Sequence, residues 1–132
     1  MKIITYTDGG ARGNPGPAGI GCVLYDAATR EVIGEVSEYI GETTNNVAEY
    51  TALVYALQKA LELGADSVMC YLDSELIVKQ MNRVYRVKDA KMQKLFVQVW
   101  NLSQQFEQVT YDHVRREKNK AADKLANDAM DR

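Results

Sequence analysis

Four acidic residues stand where the surrounding pattern calls for apolar or turn-forming side chains: Asp8, Glu49, Asp73 and Asp123. Asp8 closes a run of β-branched and aromatic residues directly before Gly9-Gly10, and Asp73 closes another in Tyr71-Leu72-Asp73-Ser74. Glu49 lies four residues before Leu53 and seven before Ala56, which directs it along the apolar stripe of its own helix. Asp123 flanks Ala122 and precedes Ala126 by three, at the edge of another helical stripe. Each has an ordinary structural alternative: starting a turn for Asp8, capping a short helix for Asp73, an ion pair for Glu49 and Asp123. A buried carboxylate without a partner is costly. One cause accounts for all four placements, a site for hard divalent cations, which take oxygen ligands.

Other chemistries fit poorly. The glycine-rich stretch contains no GxxxxGK[ST] and leads into a strand, which removes both a Walker loop and a dinucleotide fingerprint. A single histidine and no paired cysteines argue against zinc. His113 sits in a strand pattern with no serine elbow in the chain, which leaves no Ser-His-Asp arrangement.

The elements that must position these acids are legible from periodicity. Residues 2–8 read as a strand, followed by a turn-forming stretch from Gly9 to Gly19 that holds both prolines. Residues 20–26 and 31–40 make two more strands, and three strands in succession read as an antiparallel meander. From Asn45, a fair N-cap, Ala52, Leu53, Ala56, Leu57, Ala60 and Leu61 recur at helical spacing until Gly64. A strand over Ser67–Leu72 and a short helix over Ser74–Met81 follow. Met92, Leu95, Val99, Leu102 and Phe106 mark a further helix, Val109–Val114 a fifth strand, and Asn119 the cap of a last helix with stripe Ala122, Leu125, Ala126 and Ala129. The order βββαβααβα predicts one α/β domain over residues 1–132, with a five-stranded mixed sheet flanked by helices. The 67–72 strand, reached through a long helix, is expected parallel to an earlier strand. If that strand is the first, Asp8 and Asp73 emerge together at the carboxyl end of the sheet, where open α/β sheets bind ligands.

Composition sets the bounds. The 132 residues are 46% hydrophobic and 26% charged, a globular balance with room for one domain. Apolar runs fall far short of the ~20 residues of a membrane span, and Met1–Thr5 enters a strand pattern with no signal-peptide architecture. Cys22 and Cys70 lie in apolar segments, which favours free buried thiols and a cytoplasmic location over a disulfide. The net charge of -2 excludes a bulk polycation. It hides a basic run at Lys79, Arg83, Arg86, Lys88, Lys91 and Lys94, a second at Arg115, Arg116, Lys118, Lys120 and Lys124, and an acidic stretch from Glu31 to Glu49. Such asymmetry points weakly to a polyanionic partner.

Four segments resemble the motifs of the type 1 ribonuclease H family, in order and across the whole chain. Thr7 to Gly19 is similar to TDG(G/S)xxGNPGPxG, a pattern that leaves positions 11 and 12 open. Thr44-Asn45-Asn46-Val47-Ala48-Glu49 is similar to TNNxxE. Leu72-Asp73-Ser74 and Asn119-Lys120-Ala121-Ala122-Asp123 complete the set. The resemblance implies a ribonuclease H-like fold and hydrolysis of the RNA strand of RNA/DNA hybrids, leaving 5′-phosphate and 3′-hydroxyl ends. It implies that Asp8, Glu49, Asp73 and Asp123 are catalytic ligands of two Mg²⁺ ions, with Mn²⁺ able to substitute. Two-metal sites of this kind stabilise the attacking and leaving oxygens. Asn14, Asn45 and Asn46 resemble residues that touch the hybrid's minor groove, where 2′-hydroxyls mark RNA, and Thr44 resembles one that holds a DNA-strand phosphate.

Two departures bring the chain nearer the archaeal-type, short-loop variant. The stretch Val78–Lys94 lacks the tryptophan-rich basic protrusion of many bacterial relatives, although its cations can still line a DNA-binding surface. In the loop before the last helix the glycines that flank a catalytic histidine are absent, and the resemblance favours Arg116 over His113 as the catalytic loop residue. The expected protein is a monomer acting on hybrids, with no membrane partner. The competing readings are a non-catalytic hybrid-binding module, which would need no cage of four acids, and a superfamily nuclease that also cuts double-stranded RNA.

Overall fold

The computed structural model describes all 132 residues. Strands β1 (Lys2–Ala11), β2 (Gly16–Asp26) and β3 (Val32–Thr43) are followed by helix α1 (Asn45–Glu62) and strand β4 (Ser67–Leu72). Helices α2 (Glu75–Met81) and α3 (Ala90–Ser103), strand β5 (Gln108–His113), a 3₁₀ turn (Arg116–Lys118) and helix α4 (Lys120–Met130) complete the chain. The sheet order is β3-β2-β1-β4-β5. The β1–β2 and β2–β3 pairs are antiparallel, whereas β1–β4 and β4–β5 are parallel. The meander, the mixed sheet and the parallel placement of β4 beside β1 are all present, as expected.

The glycine-rich segment is mostly strand, contrary to the expected turn. β1 runs three residues beyond Asp8 and β2 begins at Gly16, with Gly9 opposite Ile20 and Gly10 opposite Gly19. Asp8 therefore neither ends the strand nor starts a turn. The glycines are there for space. A Cβ at Gly9 would lie 2.3 Å from the carbonyl carbon of Ala48 in α1, and one at Gly21 2.2 Å from the carbonyl oxygen of Ala122 in α4. Two helices thus approach the sheet to backbone contact. They do so on opposite faces. The Cys22 thiol faces α1 and donates to the Ala52 carbonyl at 3.2 Å, while its neighbour Gly21 faces α4.

The α1 face holds the main core. Ile3, Ile20 and Leu24 from the meander and Val68 and Leu72 from β4 pack against Leu53 and Leu57. α3 adds Met92 and Val99, and Phe106 joins them from beyond its C-terminal end. Tyr50 of α1 donates from its hydroxyl to Gln80 Oε1 of α2 at 2.6 Å, a buried bond that fixes the short helix on the long one. Cys22 and Cys70 are buried and free, on strands separated by β1. No helix is long and apolar enough to cross a membrane.

Helix starts differ in detail from expectation. Thr44, rather than Asn45, caps α1, its Oγ1 accepting from the Val47 amide at 3.2 Å. Ser74, rather than Asp73, caps α2. Asn119 holds the cap position of α4, but its side chain makes no capping bond. Strand β5 starts and ends one residue earlier than its periodicity suggests.

Candidate active site

Parallel pairing of β1 with β4 brings Asp8 and Asp73 side by side at one end of the sheet, with Thr7 opposite Leu72. The first turns of α1, backed onto Gly9, carry Glu49 to the same point. Carboxylate oxygens of Asp8, Glu49 and Asp73 all lie within 4.8 Å of one another. Asp123, from the first turn of α4, lies beside Asp8 and helps raise its carboxyl, and the two line a shared cleft of about 220 Å³. Asp8 and Glu49 are buried, whereas Asp73 and Asp123 are half-buried. The four acids therefore come together, three as one nest and the fourth against Asp8.

None of the four takes part in an ion pair with a lysine or arginine. Glu49 Oε2 is buried with no hydrogen-bond partner. Burial, then the charge of Asp73 and contact with Asp123, pushes the Asp8 carboxyl up to about 8. Glu49 is held well above the usual carboxylate range by burial first and then by the charges of Asp8 and Asp73. Clustered acids without a counter-charge, one with an orphaned oxygen, form a donor set of hard oxygens suited to a divalent cation. The remaining support is an asparagine. Asn119 Nδ2 donates to the Thr7 carbonyl of β1 at 2.8 Å and to Asp73 Oδ2 at 3.1 Å. In the sequence Asn119 reads as a helix cap and as the first residue of the fourth motif. Its near-complete burial orients Asp73 instead.

The other expected residues lie around this nest. The Asn45 amide donates to Asn14 Oδ1 at 3.0 Å, and Asn45 Oδ1 accepts from the Ala11 amide at 3.3 Å. The two side chains thereby lock the β1–β2 hairpin to the start of α1 while their own amide nitrogens remain free to donate. Asn46 is exposed on the first turn of α1. Thr44 Oγ1 accepts from the Val47 amide in its cap, which leaves the hydroxyl proton to donate. Arg116 opens the 3₁₀ turn and lines the cleft with Asp8, Glu49 and Asp123. His113 is exposed at the end of β5, paired with Leu72, and does not line it. Arg83 and Arg86 of the basic run line a separate groove of about 860 Å³ between residues 83–87 and α3. There the Arg83 guanidinium lies 4.3 Å from the Trp100 ring centroid and the Lys79 ammonium 5.0 Å from that of Tyr85.

A five-stranded sheet in this order, with one acid within β1, one just past the end of the parallel β4 and two from helices on opposite faces, defines a ribonuclease H-like domain. Residues 6–129 match the family model described as reverse transcriptase-like, and the chain belongs to that family. It is 47% identical over 131 residues to the bifunctional protein Rv2228c of Mycobacterium tuberculosis, covering 99% of this chain and 36% of that protein. The chain thus spans about a third of the length of that mycobacterial relative. The solved N-terminal RNase H domain of the same protein superposes with a TM-score of 0.95 at 45% identity, covering 98% of this chain and 99% of that one. Ribonuclease HI of Halobacterium salinarum is 38% identical over 130 residues, 98% of this chain and 65% of that protein. LC11-RNase H1, isolated from compost and solved in complex with an RNA/DNA hybrid, gives a TM-score of 0.92 at 47% identity, over 98% of this chain and 96% of that one.

Proposed function

We propose that this chain is a metal-dependent endoribonuclease that hydrolyses the RNA strand of RNA/DNA hybrids, leaving 5′-phosphate and 3′-hydroxyl ends. The observation that carries the proposal is the nest of Asp8, Glu49 and Asp73, buried or half-buried with no protein counter-charge. The likeness to ribonuclease HI and to a hybrid-bound RNase H1 supports the same reading. Asp8, Glu49, Asp73 and Asp123 are the proposed ligands of two Mg²⁺ ions, with Mn²⁺ able to substitute. When bound, such ions supply positive charge to the attacking and leaving oxygens of an in-line phosphoryl displacement.

The protein's own residues do the rest. Asn119 fixes the orientation of Asp73, and the backbone contact at Gly9 fixes the depth of Glu49. Asn14, Asn45 and Asn46 present amide donors beside the nest, suited to the 2′-hydroxyls and base edges of a hybrid's minor groove. Thr44 orients the turn that bears them and is the proposed contact to a DNA-strand phosphate. The cations of the 79–94 run supply further backbone contacts. In this reading residues 1–132 act as one domain, monomeric and cytoplasmic, and the two free buried thiols suit a reducing compartment.

The deciding test offers matched hybrid, double-stranded RNA and double-stranded DNA in Mg²⁺. The expected result is cleavage of the hybrid's RNA strand, no cleavage of DNA, and loss of all activity in EDTA with recovery on Mg²⁺ or Mn²⁺. Equal cleavage of the DNA duplex would contradict the reading.

Arg116 is the proposed catalytic loop residue, because its guanidinium shares the cleft with the acids and can meet the scissile phosphate. Arg116→Ala is expected to lower kcat by about tenfold or more, ~1.4 kcal/mol of barrier. His113→Ala should change it much less. A large loss for His113→Ala beside a mild one for Arg116→Ala would return the role to the histidine.

A further inference from the structure

A second arginine faces the same cleft. Arg12 follows the last residue of β1, and its amide donates to the Pro17 carbonyl at 2.8 Å, which places it on the hairpin tip that also bears Asn14. Its side chain lines the cleft with Asp8, Glu49, Arg116 and Asp123. One nitrogen, Nη1, meets Asp131 Oδ1 at 2.5 Å, just beyond the end of α4. Both side chains are about half exposed, at 48% and 60%. A pair so exposed adds little to stability, and fold architecture alone gives no reason for an arginine here. Nε and Nη2 have no protein partner, so most of the guanidinium fork remains available. That fork matches phosphate oxygens in a bidentate geometry, which Lys cannot reproduce. The family pattern leaves position 12 open, so the motif itself assigns this arginine no role.

We propose that Arg12 binds a backbone phosphate of the nucleic acid laid over the cleft, with Asp131 holding the side chain in place until the phosphate takes over. The inference rests on the proposed hybrid substrate and deepens it. The only other cation of β1 or β2 is Lys2, at the opposite end of β1, so a phosphate passing Asn14 would meet Arg12 first.

The experiment measures binding of a labelled RNA/DNA hybrid in Mg²⁺ across a salt series, in an Asp73→Asn background that keeps the hybrid intact. Arg12→Ala is expected to weaken binding by about tenfold, as for loss of one charge-assisted hydrogen bond. The slope of log Kd against log salt should fall by about one, the signature of one lost phosphate contact. Arg12→Lys should restore the slope, and Asp131→Asn should preserve both slope and affinity. In the active protein, Arg12→Ala should raise KM and leave kcat nearly unchanged. An unchanged salt slope in Arg12→Ala would overturn the inference. So would equal losses of affinity in Arg12→Ala and Asp131→Asn accompanied by a lower Tm, which would make the pair a structural tie between hairpin and helix. If the Asp73→Asn parent binds no hybrid at all, the proposed function falls first and this inference with it.

Discussion

Asp8→Asn is expected to reduce hybrid cleavage by at least about a thousandfold, ~4 kcal/mol of barrier, while the protein stays folded. Asp8 sits within reach of Glu49 and Asp73 and shares its cleft with Asp123. Removing its charge would take one of the proposed metal ligands out of the centre of the nest. The same change should stabilise the metal-free protein. Asp8 folds with its carboxyl raised to about 8 from an ordinary value of 3.8. Between those limits the folded state binds a proton that the unfolded state does not, so stability falls as pH rises through that window. Asn carries no such cost, and the variant should melt a few degrees higher than the parent at neutral pH in EDTA. Mg²⁺ should raise the Tm of the parent and raise that of Asp8→Asn much less, because only the intact nest gains from binding. Paired melting curves and single-turnover cleavage check both halves. Substantial cleavage by purified Asp8→Asn would sink the site assignment.

Gly21→Ala should be among the most damaging small substitutions in the fold. Its Cβ would stand 2.2 Å from the Ala122 carbonyl oxygen and 2.6 Å from the Ala126 amide nitrogen, both backbone atoms of α4. No side-chain rotation relieves such a contact, so the helix must move off the sheet. The cost is expected to be at least about 3 kcal/mol, at the upper end for overpacking, or roughly 10 °C in Tm. Cleavage should fall as well, because α4 carries Asp123. Gly34→Ala is the control. Its Cβ would meet only flexible ends of Leu63 and Lys59 at 3.4 and 3.5 Å, and its stability should change by less than about 1 kcal/mol. Equal melting of the two variants would remove the close-approach explanation.

Much of the site could be read before any geometry was known, for a definite reason. Glu49 on an apolar stripe and Asp8 at the end of a β-branched run are costly placements, and costly placements show in a linear pattern. The crossover rule then placed β4 parallel to an earlier strand, and pairing with β1 aligned Asp8 with Asp73. What could not be read depends on contacts between distant segments. Six of the chain's nine glycines fall between positions 9 and 21 and look like turn residues, since a sequence carries no mark of a helix backbone pressing from above. Thr44 and Asn45 both offer a capping oxygen, and only the extended backbone at Thr44, φ -85° and ψ 161°, decides between them. Asn119 reads as a cap for the same local reason, yet its partners are Thr7, 112 residues away, and Asp73. Arg12 next to Asp131 is a pairing no spacing rule reaches.

The bond from Asn119 to the Thr7 carbonyl also sets a clock. A ribosome delivers the chain from its N-terminus at ~5–20 residues per second, so roughly 3–10 s separate the synthesis of Asp73 from that of Asp123. During that interval the nascent sheet holds three of its acids but neither the asparagine that aims Asp73 nor the helix that brings the fourth acid. Under the proposed function the cleft therefore stays incomplete on the ribosome, and its fourth acid arrives only when α4 docks.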